Sequence, residues 1–153
     1  MALTERVLSF HVSEFLFRLT TESVRLFSNR HLRKATIEDV LNDRASEANN
    51  IPSQYRPSSL REHLRIIPTE GDVEFEIQIL ETSANAIGES IPELESMLGS
   101  SVSFASAVSL VLFDYIVDQN RTEFINKLGL PPEEAAAFKR AAERYTPNVV
   151  PFR

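Results

Sequence analysis

Arg30, His31, Arg33 and Lys34 crowd into five consecutive positions, and Thr36 and Asp39 follow directly. Guanidinium and ammonium groups so placed suit contact with anionic oxygens: Arg offers a planar fork, Lys a compact point charge. A Thr with an Asp three residues on suits a helix start, where the hydroxyl accepts a backbone N–H. The same cations suit the last turn of a preceding helix, because positive charge there favours the helix dipole. The basic knot therefore reads either as an anion contact or as a solvated helix end.

Other chemistry is sparse. His11, His31 and His63 are scattered with no two at metal-ligand spacing, so no zinc pattern exists and the three read as ordinary core or surface histidines. The absence of Cys excludes disulfides, thiolate metal sites and a Cys nucleophile. Gly71, Gly88, Gly99 and Gly129 lie too far apart to form a phosphate-cradling loop. Ser100, Ser101, Ser103, Ser106 and Ser109 have neither a nucleophile elbow nor a base beside them. Ser101 or Ser103 is instead expected to cap a helix. Glu70, Asp72, Glu74 and Glu76 would spread over several faces of a helix, but on a strand Asp72, Glu74 and Glu76 line one. They read as a solvated acidic face, with a docking surface for a basic partner as the alternative. A non-enzymatic protein is expected, with no cofactor, metal or small-molecule substrate.

Charge sharpens this. The 153 residues carry a net −6, unevenly spread. Residues 1–66 hold ten Lys and Arg against eight acids; residues 67–153 hold six against fourteen. A polyanion would meet the first part and be repelled by the second. The longest apolar run, Ala107 to Phe113, is far short of the ~20 residues of a membrane span. The first residues, interrupted by Glu5 and Glu14, do not read as a signal peptide. A cytoplasmic or nucleoid/nuclear protein is expected, neither secreted nor in a membrane.

The elements that would position these residues read as helices. From Thr4 to Arg30, Leu8, Val12, Phe15, Leu16, Leu19, Leu26 and Phe27 recur at three- and four-residue steps. Phe10, Phe17 and Val24 fall at seven-residue steps on a second face, so this long helix should run through a core or a dimer. Alternation of Leu8, Phe10 and Val12 supports a rival strand, which the unbroken rhythm disfavours. A short helix is expected from Ile37 to Ala48, then a linker or irregular loop over Asn49 to Ser59, and a turn or two of helix before Pro68. Residues Asp72 to Ser90 read as a helix through Ile77, Leu80, Ala84 and Ile87, against a strand with Val73, Phe75, Ile77 and Ile79 alternating. A short helix with Pro92 near its start ends at Gly99. A long buried helix follows from Ser101, broken near Asn120. The last helix starts at the Pro131-Pro132 pair, with acids in its first turn and bases in its last. Thr146 to Arg153 forms a tail.

Phe15, Leu16 and Val24, the basic Arg30 to Lys34, then Thr36, Asp39 and Val40 resemble the central helix, second loop and third helix of the histone fold. The resemblance covers about residues 4–48. It implies that Arg30, Arg33 and Lys34, with Thr36 beside them, contact DNA phosphates. It also implies an internal Arg33–Asp39 pair, across a loop one residue shorter than the family's. Leu8, Val12, Phe15, Leu19 and Phe27 would form a dimer or core face. The expected fold is all-α and histone-fold-like, with two degenerate halves packed together. Residues 1–48 form the histone-like part, 49–70 a linker with a short helix, and 71–153 an acidic helical half. The expected function is association as a homo- or hetero-dimer through long helices, with weak, salt-sensitive, sequence-independent DNA contact. Two alternatives stand beside it. One is a helical adaptor or regulatory subunit that binds only protein. The other is a ribbon-helix-helix regulator in which Arg6, Ser9 and His11 read bases from a strand before Glu14.

Overall fold

A strand comes first. The structure, a computed structural model, describes residues 4–119 and 128–141. Strand β1, Glu5–Val12, precedes helix α1, Glu14–His31, so the helix expected over residues 4–30 is two elements. The physical reason is an ambiguity of period. Leu8 and Val12 are four apart, which fits one helix face and one strand face alike. Ser13 breaks the tie: its extended backbone ends the strand, and its hydroxyl accepts the Leu16 N–H at 3.0 Å as the helix N-cap. Leu8 and Val12 therefore lie on β1, while Phe15, Leu19 and Phe27 lie on α1.

The partner strand is β2, Val73–Leu80, where a helix was expected. It pairs antiparallel with β1 from Glu5 opposite Leu80 to Val12 opposite Val73. Leu8, Phe10 and Val12 face inward with Phe75, Ile77 and Ile79. Cross-strand apolar pairs of this kind stabilise a ribbon that neither segment forms alone. The molecule is mainly helical, with this small two-stranded sheet, and so is not purely α.

Helix α2, Ile37–Arg44, follows the basic turn, and a 3₁₀ helix, Ala45–Asn50, continues it. The expected loop from Asn49 to Ser59 is mostly helical: α3 spans Ile51–Gln54 and α4 Pro57–Ile66. Each carries its Pro at the first turn, where the missing N–H costs nothing. Ile51, Tyr55 and Leu60 are buried, which tertiary packing decides and turn-rich composition hides. Helix α5, Glu81–Leu98, runs through Pro92 and absorbs the short helix expected after it. Helix α6, Phe104–Asp118, is buried on every side from Ala107 to Ile116 and forms the centre of the molecule. Its N-cap is Ser103. Helix α7, Pro132–Ala141, has Glu133 and Glu134 in its first turn and Lys139 and Arg140 in its last. It packs Phe138 against Phe113 and His63. The expected break near Asn120 and the tail from Thr146 lie outside the described residues.

Element boundaries recur at a constant spacing of 67 residues. Ser9 and Glu76, 67 positions apart, face each other at the ribbon centre, and Ser9 Oγ donates to Glu76 Oε2 at 3.3 Å. The same offset carries α1 onto α5, the left-handed C-cap Leu32 onto Gly99, and the N-cap Thr36 onto Ser103. Buried positions follow it: Leu16 with Ser83, Thr20 with Ile87, Ser23 with Ser90, and Phe27 with Leu94. The order strand, helix, helix thus occurs twice, as two β-α-α units joined by pairing of their strands. One hydrophobic core draws on both units and on the segment between them.

Candidate functional site: the ribbon and the basic turn

The basic turn closes α1. Arg30 and His31 stand in its last turn and Leu32 caps it at φ 53°, in the left-handed region that favours Gly. Ser28 holds the turn: its carbonyl accepts the Arg33 N–H at 3.2 Å, and its hydroxyl accepts the Ala35 N–H at 3.2 Å. Leu32 is left 89% exposed at the tip. Thr36 then caps α2. Its hydroxyl accepts the Asp39 N–H at 3.2 Å, and Asp39 Oδ2 accepts the Thr36 N–H at 2.9 Å. That backbone N–H, followed by Arg33, holds the Asp39 carboxyl below its usual range.

Several of the anticipated anion-binding groups are already engaged. Arg33 pairs with Asp39 at 3.4 Å and lies over the Phe27 ring. Both partners are substantially exposed, so the pair contributes only about 0–1 kcal/mol. Arg30 donates to the Gln119 side chain at 3.3 Å. Lys34 is exposed and makes no ion pair among the described residues. The turn does bring Arg30, Arg33, Lys34 and Thr36 to one surface.

The ribbon offers a different surface. Its outward face carries Glu5, Val7, Ser9 and His11 from β1 and Glu74, Glu76 and Gln78 from β2. His11 lies opposite Glu74, Ser9 opposite Glu76 and Val7 opposite Gln78. Gln78 also donates to Glu5 at 3.2 Å. Arg6 does not join this face: it pairs with Glu81 and reaches Asn85.

Beside β2 lies a groove of about 400 Å³. Phe17, Thr20, Thr21 and Val24 of α1 form one wall, Thr36 and Ile37 another, and Glu74 to Glu76 the strand side. Phe17 is 40% exposed there. The sequence carried a signal for this groove in the seven-residue spacing of Phe17 and Val24. It pointed to a second apolar face without showing that the face stays open.

Among the described residues no cluster of His, Asp or Glu could hold a metal ion, and no helix is long and apolar enough to cross a membrane. Comparison with family models, with curated proteins and with solved structures finds no match for this chain.

Proposed function

We propose that this chain is a non-enzymatic association module, a single-chain counterpart of the ribbon-helix-helix pair that docks protein rather than reading duplex DNA. Strand-first order, two β-α-α units and a shared antiparallel ribbon support that likeness over a histone-type pair, in which helices alone cross. The observation that carries the functional half is the ribbon's outward face. Ribbon-type readers present base-contacting side chains there. Here it presents the carboxylates of Glu5, Glu74 and Glu76, with His11 as the one ionisable base. Duplex DNA carries a negative charge about every 1.7 Å, and counterion release needs cations on the protein. The basic turn supplies few, and Asp39 offsets one of them.

A random-sequence duplex titrated across a salt series tests this. Wild type is expected to show no retained binding at physiological salt. Replacing Glu5, Glu74 and Glu76 together by Gln is expected to raise affinity at low salt, because three repelling charges leave. Steep salt-dependent binding by wild type, abolished by Arg30→Ala/Arg33→Ala/Lys34→Ala, would instead make the basic turn a phosphate contact and the chain a DNA-associating protein.

A further inference from the structure

The free edge of β2 ends its cover halfway. Gln78 donates its backbone N–H to Glu38 Oε2 at 3.2 Å, and Leu80 donates to Asn42 Oδ1 at 3.0 Å. Helix α2 thus caps the C-terminal half of that edge. Backbone groups alternate direction along a strand, so the N–H groups of Glu74 and Glu76 point to the same edge. Neither has a partner among the described residues. The apolar groove of Phe17, Val24 and Ile37 opens directly beside this uncovered half. Proteins normally blunt such an edge or use it.

The opposite strand is covered at one end of its own outer edge. At the end of β1, the segment Thr69 to Gly71 meets its outer edge through a single isolated bridge. Ser13 donates its N–H to Thr69 at 3.1 Å, Gly71 donates to His11 at 3.4 Å, and Val12 forms a bridge with Glu70. Main-chain groups on that outer edge are thus already taken up by a neighbouring segment.

We propose that the Glu74–Glu76 edge and its groove accept an extended, basic segment of another protein as a third strand. The inference rests on the protein-docking reading above and specifies the partner's chemistry. Added strands gain affinity from main-chain hydrogen bonds and specificity from alternate side chains. Outward positions of the added strand lie beside Glu74 and Glu76, so Lys or Arg belongs there. Inward positions meet Phe17, Val24 and Ile37, so aliphatic residues belong there. A second copy of this chain is disfavoured as occupant. Antiparallel pairing of two such edges about Phe75 sets Glu74 against Glu76 of the other copy, like charge against like.

The probe is a capped heptapeptide alternating Lys and Val, added to the full chain and followed by amide shifts and hydrogen exchange. The expected result is protection of the Glu74 and Glu76 amides, with shifts at Thr20, Val24 and Ile37. Affinity should fall at least tenfold in Glu74→Lys/Glu76→Lys; both side chains are exposed, so the fold is retained. Phe17→Ser should weaken binding as well. A peptide N-methylated at alternate residues keeps its charge but loses edge donors, and it should not bind. Equal binding by the methylated peptide would reduce the effect to charge attraction and overturn the proposal, as would no binding at all. Shifts centred on Ser9 and His11 would move docking to the ribbon face, sinking the groove while leaving the protein-docking reading in place. Protection of the same amides without peptide, rising with protein concentration, would assign the edge to a second copy and overturn it too. Displacement of the peptide by duplex DNA would sink the protein-docking reading itself.

Discussion

His63 shows how far one buried side chain departs from its sequence appearance. It is fully buried among Phe113 and Phe138 and lies 2.8 Å from Ser109 Oγ. Its Nδ1 has no partner among the described residues. The Ser109 hydroxyl can either accept from Nε2 or donate to it, so the contact satisfies Nε2 in either neutral tautomer. Burial lowers its pKa to about 3, opposed by a hydrogen bond to the Ser109 backbone. The sign of the pH effect follows from this. Between about pH 6.5 and 3 the unfolded chain binds a proton that the folded chain refuses, so stability is lost as pH falls through that window. The loss approaches the order of 4 kcal/mol at the acid end. Urea midpoints measured from pH 7 to 4 should therefore fall less steeply for His63→Leu than for wild type. The substitution also strands the Ser109 hydroxyl, but that penalty does not vary with pH. Parallel slopes would remove His63 from the acid response. Between Arg61, Glu62 and Arg65 the sequence left His63 as a core or a surface residue; its two aromatic neighbours, Phe113 and Phe138, come from distant sequence and could not be read.

At the scale of elements, local chemistry was legible and long-range pairing was not. Thr36 with Asp39, Ser103, and the Pro132 helix with its charged ends are short-range signals, and the structure has helix starts at all three. The two strands were misread as helices because their commitment depends on each other across the chain. Leu8 and Val12 fit both periods, and only Phe75, Ile77 and Ile79 arriving opposite settle which applies. Gly71 tests how tightly that pairing is set. A Cβ at this position would stand 2.5 Å from Ser13 Cα and 2.6 Å from the Val12 carbonyl oxygen, both backbone atoms that cannot swing aside. Gly71→Ala is expected to cost about 1–3 kcal/mol by overpacking. It should also speed hydrogen exchange at the Ser13 amide, which bonds Thr69. Gly88→Ala is the control: nothing stands within 4 Å of its new carbon, and a helical Gly gains from Ala. Equal destabilisation of the two variants would show that the segment beside β1 is not held as the geometry requires.

At the scale of the molecule, the spacing of 67 between corresponding elements was not legible. Two packed halves were expected, but on a histone-like plan with the repeat begun near Ile91. The spacing the elements show is carried by positions that share roles more than identities, such as Leu32 with Gly99 and Thr36 with Ser103. What joins the units is less symmetric than what builds them. Arg44, at the end of α2, reaches into the second unit and donates to Asp114 at 3.0 Å and Asp118 at 2.7 Å. It also lies over the Tyr115 ring. Tyr55, from the connecting segment, donates to Asp114 at 2.7 Å, so unit, connector and unit meet at one nearly buried carboxylate. Burial opposes the charge on Arg44, and the two carboxylates more than offset it. Removing one member of such a buried pair costs more than the pair itself is worth, about 3–5 kcal/mol, because the remaining charge stays desolvated. Arg44→Met keeps the stem packed and removes the cation, so it should lose an amount of that order in urea unfolding. Asp114→Asn in the same chain should recover part of it, a non-additive coupling of about 1–3 kcal/mol. Far-ultraviolet circular dichroism and the near-ultraviolet signal of Tyr55 and Tyr115 should fall together in both variants, since the two units share one core. Additive losses would mean that the three groups act independently. Separated transitions would mean that the units fold apart and that the ribbon, rather than this cluster, is all that holds them together.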